Sequence, residues 1–449
     1  MFIDFFYEIF SKNNSSDSII WEDKAFSYSW LHKNINHFFS VLDNHKIIPG
    51  TIVGLEGDFT PNSITILFAL IEKGCIVVPL SNRDMNQKKI DISKVEVLIT
   101  IDNNDNYFIE IVTERLNDNY YDVLRNKEHP GLVLFTSGTS GVPKAAVHDF
   151  LPLLEKFKKR RQSLRTINFL LFDHWGGLNT MFHILSNGGA VILTRDRHPE
   201  TICKLIEKHR IELLPVSPTF LNLMLLSGSY NDYNMRSLRI ISYGTEPMPK
   251  NTLNRVSEIF PYVKLIQTYG LIELGVLSSK SRKGDSLWFK VGGDGYKTRI
   301  IDGMLEIKAR SAMLGYLNMP SPFTTDGWFK TGDVVEVDGE YIKIIGRKSE
   351  IINVGGDKVF PQEVENIILG IENVSTVTVY GENNPIMGNI VCAKVSLKKN
   401  QDRKVFTKYL QDYCASRLQK FKVPIKVKVL NIIDYSARFK KIRLEEDVS

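Results

Sequence analysis

Cysteine is scarce in this chain. The four among 449 residues, Cys75, Cys203, Cys392 and Cys414, lie far apart and form no CxxC pair or Cys/His cluster with zinc-ligand spacing. A disulfide scaffold and a structural zinc module are therefore excluded, and the thiols are expected to be reduced and buried. Long hydrophobic runs are lacking too. The most apolar stretch, 63–80, is broken by Glu72, Lys73 and Gly74 before it reaches bilayer length, so no membrane span is expected. The opening MFIDFFYEIF carries Asp4 and Glu8, has no basic start and no small-residue cleavage site, and reads as an amphipathic helix, which makes the cytoplasm the expected location. No charge sign dominates: 57 Lys and Arg against 51 Asp and Glu leave a formal +6, too mild to imply nucleic acid and suited to a small anionic substrate. Internal repeats and low-complexity tracts are missing, and 438–443 is the only dense charge run.

What is present is a globular composition, 43% hydrophobic and 24% charged, at a length that accommodates two to four domains. Short β-branched runs alternate with helical patterns. Residues 51–55 read as a strand, Pro61 opens a helix with Ile64, Leu67, Phe68 and Ile71 on one face, and 75–80 returns as a strand, which makes a βαβ unit. Further strands are expected at 131–135, 168–172, 190–193, 212–216, 238–242 and 263–267, giving two packed α/β layers with mostly parallel sheets. After about residue 295 the pattern changes to hairpins around Asp302-Gly303 and Asp338-Gly339. From Glu350 a smaller α+β unit is expected, with helices at 361–370 and 401–418 and strands at 375–380 and 389–395. The fold class is thus α/β: a large N-terminal domain, 1–348, and a small C-terminal domain, 349–449.

The sharpest chemical signal is LFTSGTSGVPK (134–144), directly after an apolar strand. Hydroxyl residues, two glycines and a lysine in one loop can surround phosphate oxygens with backbone N–H groups, with Lys144 adding positive charge. The loop is not a Walker pattern, because Pro143 precedes Lys144 and no Gly-Lys-Ser/Thr adjacency exists. Tyr269 offers a flat face for a purine, Glu273 a hard oxygen for magnesium, and Asp333, in a Thr-Gly-Asp turn, an acceptor pair for a ribose diol. A core aromatic, a solvated helix residue and a plain turn residue are the structural alternatives.

With SYGTEP (242–247), QTYGLIE (267–273), GWFKTGD (327–333) and GRKSEIINVGG (346–356) following the loop in order, and a lysine near the C-terminus, the chain resembles the adenylate-forming superfamily over nearly its whole length. That superfamily includes acyl-CoA synthetases, adenylation domains of peptide synthetases and luciferases. The resemblance implies a ligase that uses ATP and Mg2+ to turn a small carboxylic acid into acyl-AMP and then a thioester. The thiol would be coenzyme A or the phosphopantetheine of an acyl carrier protein, and a nucleotide-binding protein without ligase activity is a further alternative. It implies nucleotide contacts from Thr136, Ser137, Gly138, Thr139, Ser140, Gly141 and Lys144, from Gly244, Thr245, Glu246 and Pro247, from Thr268, Tyr269 and Gly270, and from Asp333 and Arg347. Glu273 would hold the metal. Asp173, His174, Trp175, Gly270 and Leu271 would line the acid pocket, and Ser349 would be the hinge of a mobile C-terminal domain.

Asp173 stands where amino-acid-activating relatives bind an ammonium group, and it is equally placed to cap the helix that follows. His174 is either part of the pocket wall or a hydrogen-bonded structural histidine. Two departures from the family pattern stand out: Ile272 replaces the usual hydroxyl residue before Glu273, and Lys440 replaces a glycine before Lys441, the match to the catalytic lysine.

That lysine assignment is testable from the sequence alone. Lys441 would stabilise charge only where carboxylate meets α-phosphate, so Lys441→Ala should cripple acyl-AMP formation and spare thioester formation from synthetic acyl-AMP, while Lys440→Ala does much less. Measuring both half-reactions in both variants decides it, and loss of adenylation in Lys440→Ala instead would move the assignment by one residue.

Overall fold

The computed structural model describes residues 1–81, 86–113, 118–136, 142–283 and 286–430. Two seven-stranded sheets make up the N-terminal body. One runs in the order Gly315–Tyr316, Lys144–Asp149, Gly131–Thr136, Ile76–Leu80, Ile52–Glu56, Val97–Ile101, Tyr107–Ile111; the other runs Lys264–Gln267, Ile240–Tyr243, Leu213–Val216, Arg165–Ile167, Ala190–Ile192, Asp17–Trp21, Lys24–Ser27. Their central strands are parallel, joined through helices as the βαβ pattern predicts.

Between the sheets lie the helices Pro61–Glu72 and Trp175–Leu185, apolar nearly all round because both of their faces meet a sheet. The largest core cluster accordingly joins Val53, Val77 and Leu132 of one sheet to Ile19, Val191 and Leu213 of the other. The first helix is started by Thr60, whose side chain accepts from the Ser63 N–H in a capping box, followed by Pro61 in the first turn. The second packs so closely that a Cβ on Gly177 would sit 2.3 Å from the Leu171 carbonyl oxygen, so only glycine fits.

One expected strand is displaced. Residues 168–172 form a loop after the short strand Arg165–Ile167, the Asn168 N–H making a last bond to the Ile192 carbonyl. The apolar run reads as a strand because it is buried on two sides: Phe169 packs on Phe220 at 4.4 Å and Phe172 on Phe59 at 5.0 Å, in different cores.

Residues 279–347 build a six-stranded antiparallel sheet that contains both expected hairpins. Asp302 and Gly303, at φ of 49° and 73°, supply the left-handed pair a two-residue turn needs. The chain then crosses an exposed 3-10 turn, Lys348–Glu350, into a five-stranded sheet covered by the helices Pro361–Ile368 and Arg403–Ala415. Val364, Ile368, Val377, Phe406 and Leu410 give this unit its own core. It meets the larger body where the Asn222 side chain donates to the Ser375 carbonyl at 3.1 Å, beside a small cleft lined by Thr219, Glu246, Thr252, Glu365 and Thr376.

All four cysteines are buried and free, and burial pushes the thiols up, Cys75 to about 12 and Cys392 to about 11, so none is poised as a nucleophile. Among the described residues no helix is long and apolar enough to cross a membrane.

Candidate active site

In open parallel sheets the carboxyl ends of the strands are where ligands bind, because the chain leaves the sheet there in loops free to carry chemistry. Three such loops meet in this protein. Thr136 pairs with Lys144 across the antiparallel strands that carry the phosphate loop, and both are half-buried; residues Ser137, Gly138, Thr139, Ser140 and Gly141 between them lie outside the described residues. The exit of that loop is fixed by Asn318, whose side chain accepts from the Ala145 N–H at 3.1 Å and donates to the Pro143 carbonyl at 2.8 Å, so both neighbours of Lys144 are held. No sequence spacing marked Asn318.

The second loop is Gly244–Pro247. A Cβ on Gly244 would sit 2.4 Å from the Thr268 hydroxyl, and Thr268 in turn donates to the Tyr243 carbonyl from both its N–H and its hydroxyl. Thr245 is exposed with φ of 72°, a left-handed conformation that a β-branched residue adopts only where surrounding structure enforces it. Glu246 accepts from the Thr219 N–H at 2.7 Å and so satisfies the first turn of the preceding helix Pro218–Ser227 as well as lining the cleft toward the C-terminal unit, with Pro247 beside it.

The third is the hairpin of Tyr269–Leu271 with Gly275–Leu277, so close-packed that a Cβ on Gly270 would meet the Gly275 carbonyl at 2.9 Å. Glu273 lies at its tip, not on a helix. Its carbonyl accepts from the Met313 N–H at 2.8 Å, the neighbouring Leu274 carbonyl accepts from the Ser311 hydroxyl at 2.6 Å, and its carboxylate accepts from the Tyr316 hydroxyl at 2.5 Å. Tyr316 belongs to the strand paired with Ala146, two residues after Lys144, so one hydrogen bond ties the candidate metal ligand to the stem of the phosphate loop. Tyr316 was not foreseen; a Gly-Tyr pair carries no spacing that announces a partner more than forty residues away. Ile272, which stands where a hydroxyl was expected, packs against the two cores on either side of the hairpin.

Asp333 sits within the strand Phe329–Asp338 rather than in a turn, opposite Arg347 in the neighbouring strand. The turn signal came from Gly332, at φ of 75°, which accompanies a register shift in the ladder between Val334 and Val335. The Asp333 carboxylate accepts from the Tyr269 hydroxyl at 2.5 Å on one oxygen and pairs with Arg347 at 3.3 Å on the other. Each oxygen keeps a lone pair for a further donor such as a ribose hydroxyl. Tyr269 is only 6% exposed and packs on Phe289 at 6.0 Å, so most of its ring is spent on the core and its hydroxyl on Asp333. Burial and the adjacent carboxylate push the phenol well above its ordinary range, which keeps it a donor. Burial also raises Asp333, against the pull of Arg347 and the Tyr269 hydroxyl.

At the acid end, the helix cap is His174, not Asp173: its Nδ1 accepts from the Gly176 N–H at 3.0 Å. Asp173 accepts instead from the Ser81 hydroxyl at 3.0 Å and lies 3.7 Å from Nζ of Lys89. Trp175 is 3% exposed in the main core beside Phe150, with its indole nitrogen toward Gly275, so it backs the hairpin more than it lines an opening. Leu271 is half-buried in the core under the six-stranded sheet. Ser349 is exposed in the 3-10 turn after Arg347. Lys440 and Lys441 lie outside the described residues.

The AMP-binding enzyme family matches residues 81–302, and the C-terminal domain of the same enzymes matches 363–440. The chain belongs to this family. It is 25% identical to the 2-succinylbenzoate–CoA ligase of Listeria innocua over 94% of this chain and 93% of the relative, and 25% identical to the indoleacetate–CoA ligase of Aromatoleum aromaticum over 94% and 92%. Among solved structures, the anthranilate CoA ligase with anthranoyl-AMP superposes with a TM-score of 0.84 at 18% identity, covering 98% of this chain and 95% of that one. The o-succinylbenzoate CoA synthetase of Bacillus subtilis with its acyl-adenylate gives 0.77 at 20% identity, covering 99% and 98%. The layered α/β body with a C-terminal domain is thus the fold of adenylate-forming enzymes.

Asp333 generates a pH prediction. Because its folded pKa is raised, the stability it contributes below the ordinary carboxylate range is lost as pH rises through that raised value. Asp333→Asn removes this loss, so its unfolding free energy relative to the parent should climb as pH increases from about 4. Urea unfolding over a pH series reads this directly; a difference that falls with pH would mean that Arg347 and Tyr269 outweigh burial.

Proposed function

We propose that the protein is an ATP-dependent acid–thiol ligase that activates a small carboxylic acid as acyl-AMP and transfers the acyl group to coenzyme A. The observation that carries this reading is the linked set Tyr269–Asp333–Arg347 and Glu273–Tyr316, held at the stem of the phosphate loop, in a family member whose relatives over nine tenths of its length include CoA ligases.

Each residue then has a task in the reaction. Asp333 accepts the ribose hydroxyls, and Arg347, at the end of the strand that leads into the hinge, adds positive charge there. Lys144 and the hydroxyl loop hold the polyphosphate. Among the described residues no three carboxylate, histidine or thiol side chains gather into a metal cage. A single Glu273 suits magnesium, which keeps water and binds through one or two carboxylates together with substrate phosphates. The metal would supply charge neutralisation on those phosphates. The acid's carboxylate attacks the α-phosphorus and pyrophosphate leaves; Lys441 brings the two negative groups together, and the rest is positioning. For the second half-reaction the C-terminal domain turns about Ser349 and the thiol displaces AMP. Ile272 is accounted for by packing between two cores, and so gives no reason to infer a lost activity.

An acid panel read by acid-dependent pyrophosphate release, followed by thioester formation with coenzyme A and with a phosphopantetheinylated carrier, tests the reading. ATP binding with no acid-dependent pyrophosphate release from any acid would overturn it. Tyr316→Phe is expected to keep the fold and to raise the magnesium concentration needed for half-maximal ATP binding by roughly 10- to 100-fold, the worth of one hydrogen bond to a carboxylate. Equilibrium ATP binding across a magnesium titration checks this, and an unchanged midpoint would detach Tyr316 from the metal site.

A further inference from the structure

The strand that begins at Lys144 lies one place in from the edge of its sheet. Its outer neighbour, Gly315–Tyr316, pairs with Val147 and Ala146, and a last main-chain bond runs from the Leu317 N–H to the Ala145 carbonyl at 3.0 Å. Beyond that point the Asn318 side chain takes over from the backbone. Its Oδ1 accepts from the Ala145 N–H at 3.1 Å and its Nδ2 donates to the Pro143 carbonyl at 2.8 Å, so one carboxamide does what a further peptide group of the edge strand would have done. On its other side Lys144 pairs with Thr136.

The two side-chain bonds act on the two peptide planes that meet at the Cα of Lys144. A peptide group is planar, so the Pro143 carbonyl gives the orientation of the plane before Lys144 and the Ala145 N–H that of the plane after it. Holding both fixes φ and ψ of Lys144, and with them the direction in which its side chain leaves the strand. We infer that Asn318 is a positioning residue for Lys144: its carboxamide sets the backbone from which the ammonium group reaches the polyphosphate of ATP. The inference rests on the ligase reading, which gives Lys144 that task. The arrangement needs a donor and an acceptor side by side on one planar group, which is what the carboxamides of Asn and Gln supply. Asn318 also stands two residues after Tyr316, whose hydroxyl donates to Glu273, so residues 316–318 hold the candidate metal ligand by one side chain and the backbone around Lys144 by another. A lysine without this brace keeps its charge and loses its aim. The loss should therefore fall on ligands that carry phosphate beyond the α position.

The test uses the full-length protein with Asn318→Leu, which keeps the shape of the side chain and removes both bonds, with Asn318→Ala, with Lys144→Ala, and with Lys144→Ala and Asn318→Leu combined. Equilibrium binding of ATP with Mg2+ and of AMP is measured in each. Both Asn318 variants are expected to weaken ATP by about tenfold or more, the worth of two hydrogen bonds. They should leave AMP within about twofold, because AMP has no β- or γ-phosphate for Lys144 to meet. The double variant should bind ATP no more weakly than Lys144→Ala alone, since a residue that acts through Lys144 then has nothing left to position. ATP affinity unchanged in both Asn318 variants, equal weakening of ATP and AMP, or losses that add in the double variant would each overturn the inference and leave the ligase reading standing. If Asn318→Leu does not fold, Asn318→Ala takes its place in the double variant. Should Lys144→Ala itself bind ATP as the parent does, the polyphosphate contact of the ligase reading falls, and the inference with it.

Discussion

A carboxylate held at 4% exposure must be given donors by its surroundings, and Asp333 is the point at which three parts of this protein meet that demand together. Its strand belongs to the antiparallel sheet of residues 279–347. Its first donor, Tyr269, comes from the hairpin that follows the last strand of a parallel sheet, and its cation, Arg347, is the last strand residue before the turn into the C-terminal domain. Hydrogen bonds to a charged group contribute about 1.5–3 kcal/mol each. Moving any of these three elements relative to the others would leave a buried charge without a partner. The geometry around Asp333, the proposed ribose acceptor, is therefore a consequence of satisfying one buried acid, and the turn into the C-terminal domain begins at a residue that the same acid holds.

The same economy governs Glu273. Its own carbonyl is held by the Met313 N–H, the neighbouring Leu274 carbonyl by the Ser311 hydroxyl, and its side chain by Tyr316, all three donors coming from residues 311–316, which end in the strand that pairs beside Lys144. The residues proposed to hold phosphate and metal are thus not separate loops that happen to face each other. Tyr316 pairs with Ala146 beside Lys144 and donates to Glu273, so a displacement of the strand that carries Lys144 is transmitted to the candidate metal ligand through one hydroxyl. Asn318, two residues past Tyr316, fixes the other side of that stem by bridging Pro143 and Ala145.

The parts of this architecture that were legible in the sequence are those with local causes. Pro61 after Thr60, the alternation of β-branched runs and the Asp-Gly turns announce a helix, parallel strands and hairpins, because each rests on the conformational preference of a few adjacent residues. The motifs were legible because a glycine that must avoid a collision, as Gly244 avoids Thr268, leaves a mark in the sequence. What escaped was non-local. Residues 168–172 carry the apolarity of a strand, yet they are buried because two cores meet there, and only the packed molecule reveals that. Tyr316, Asn318 and Lys89 act on partners between roughly 40 and 175 positions away, so their chemistry exists only after the sheets are stacked. Asp333 was recognised for its chemistry and misplaced for its conformation, since Gly332 gives a turn signal that the ladder absorbs as an irregularity.

Asp173 shows how chemistry and conformation compete for one residue. Its carboxylate had two evident uses, to bind a substrate cation or to cap the helix beginning at Trp175. The helix is capped instead by the imidazole of His174, which frees Asp173 to turn toward Ser81 and Lys89 and tie the two sheets at their carboxyl edges. A histidine nitrogen can accept the helix N–H at little electrostatic cost, whereas a lysine buried over the ring of Phe135 requires an anion. The exchange of roles between neighbours thus follows from where Lys89 lies.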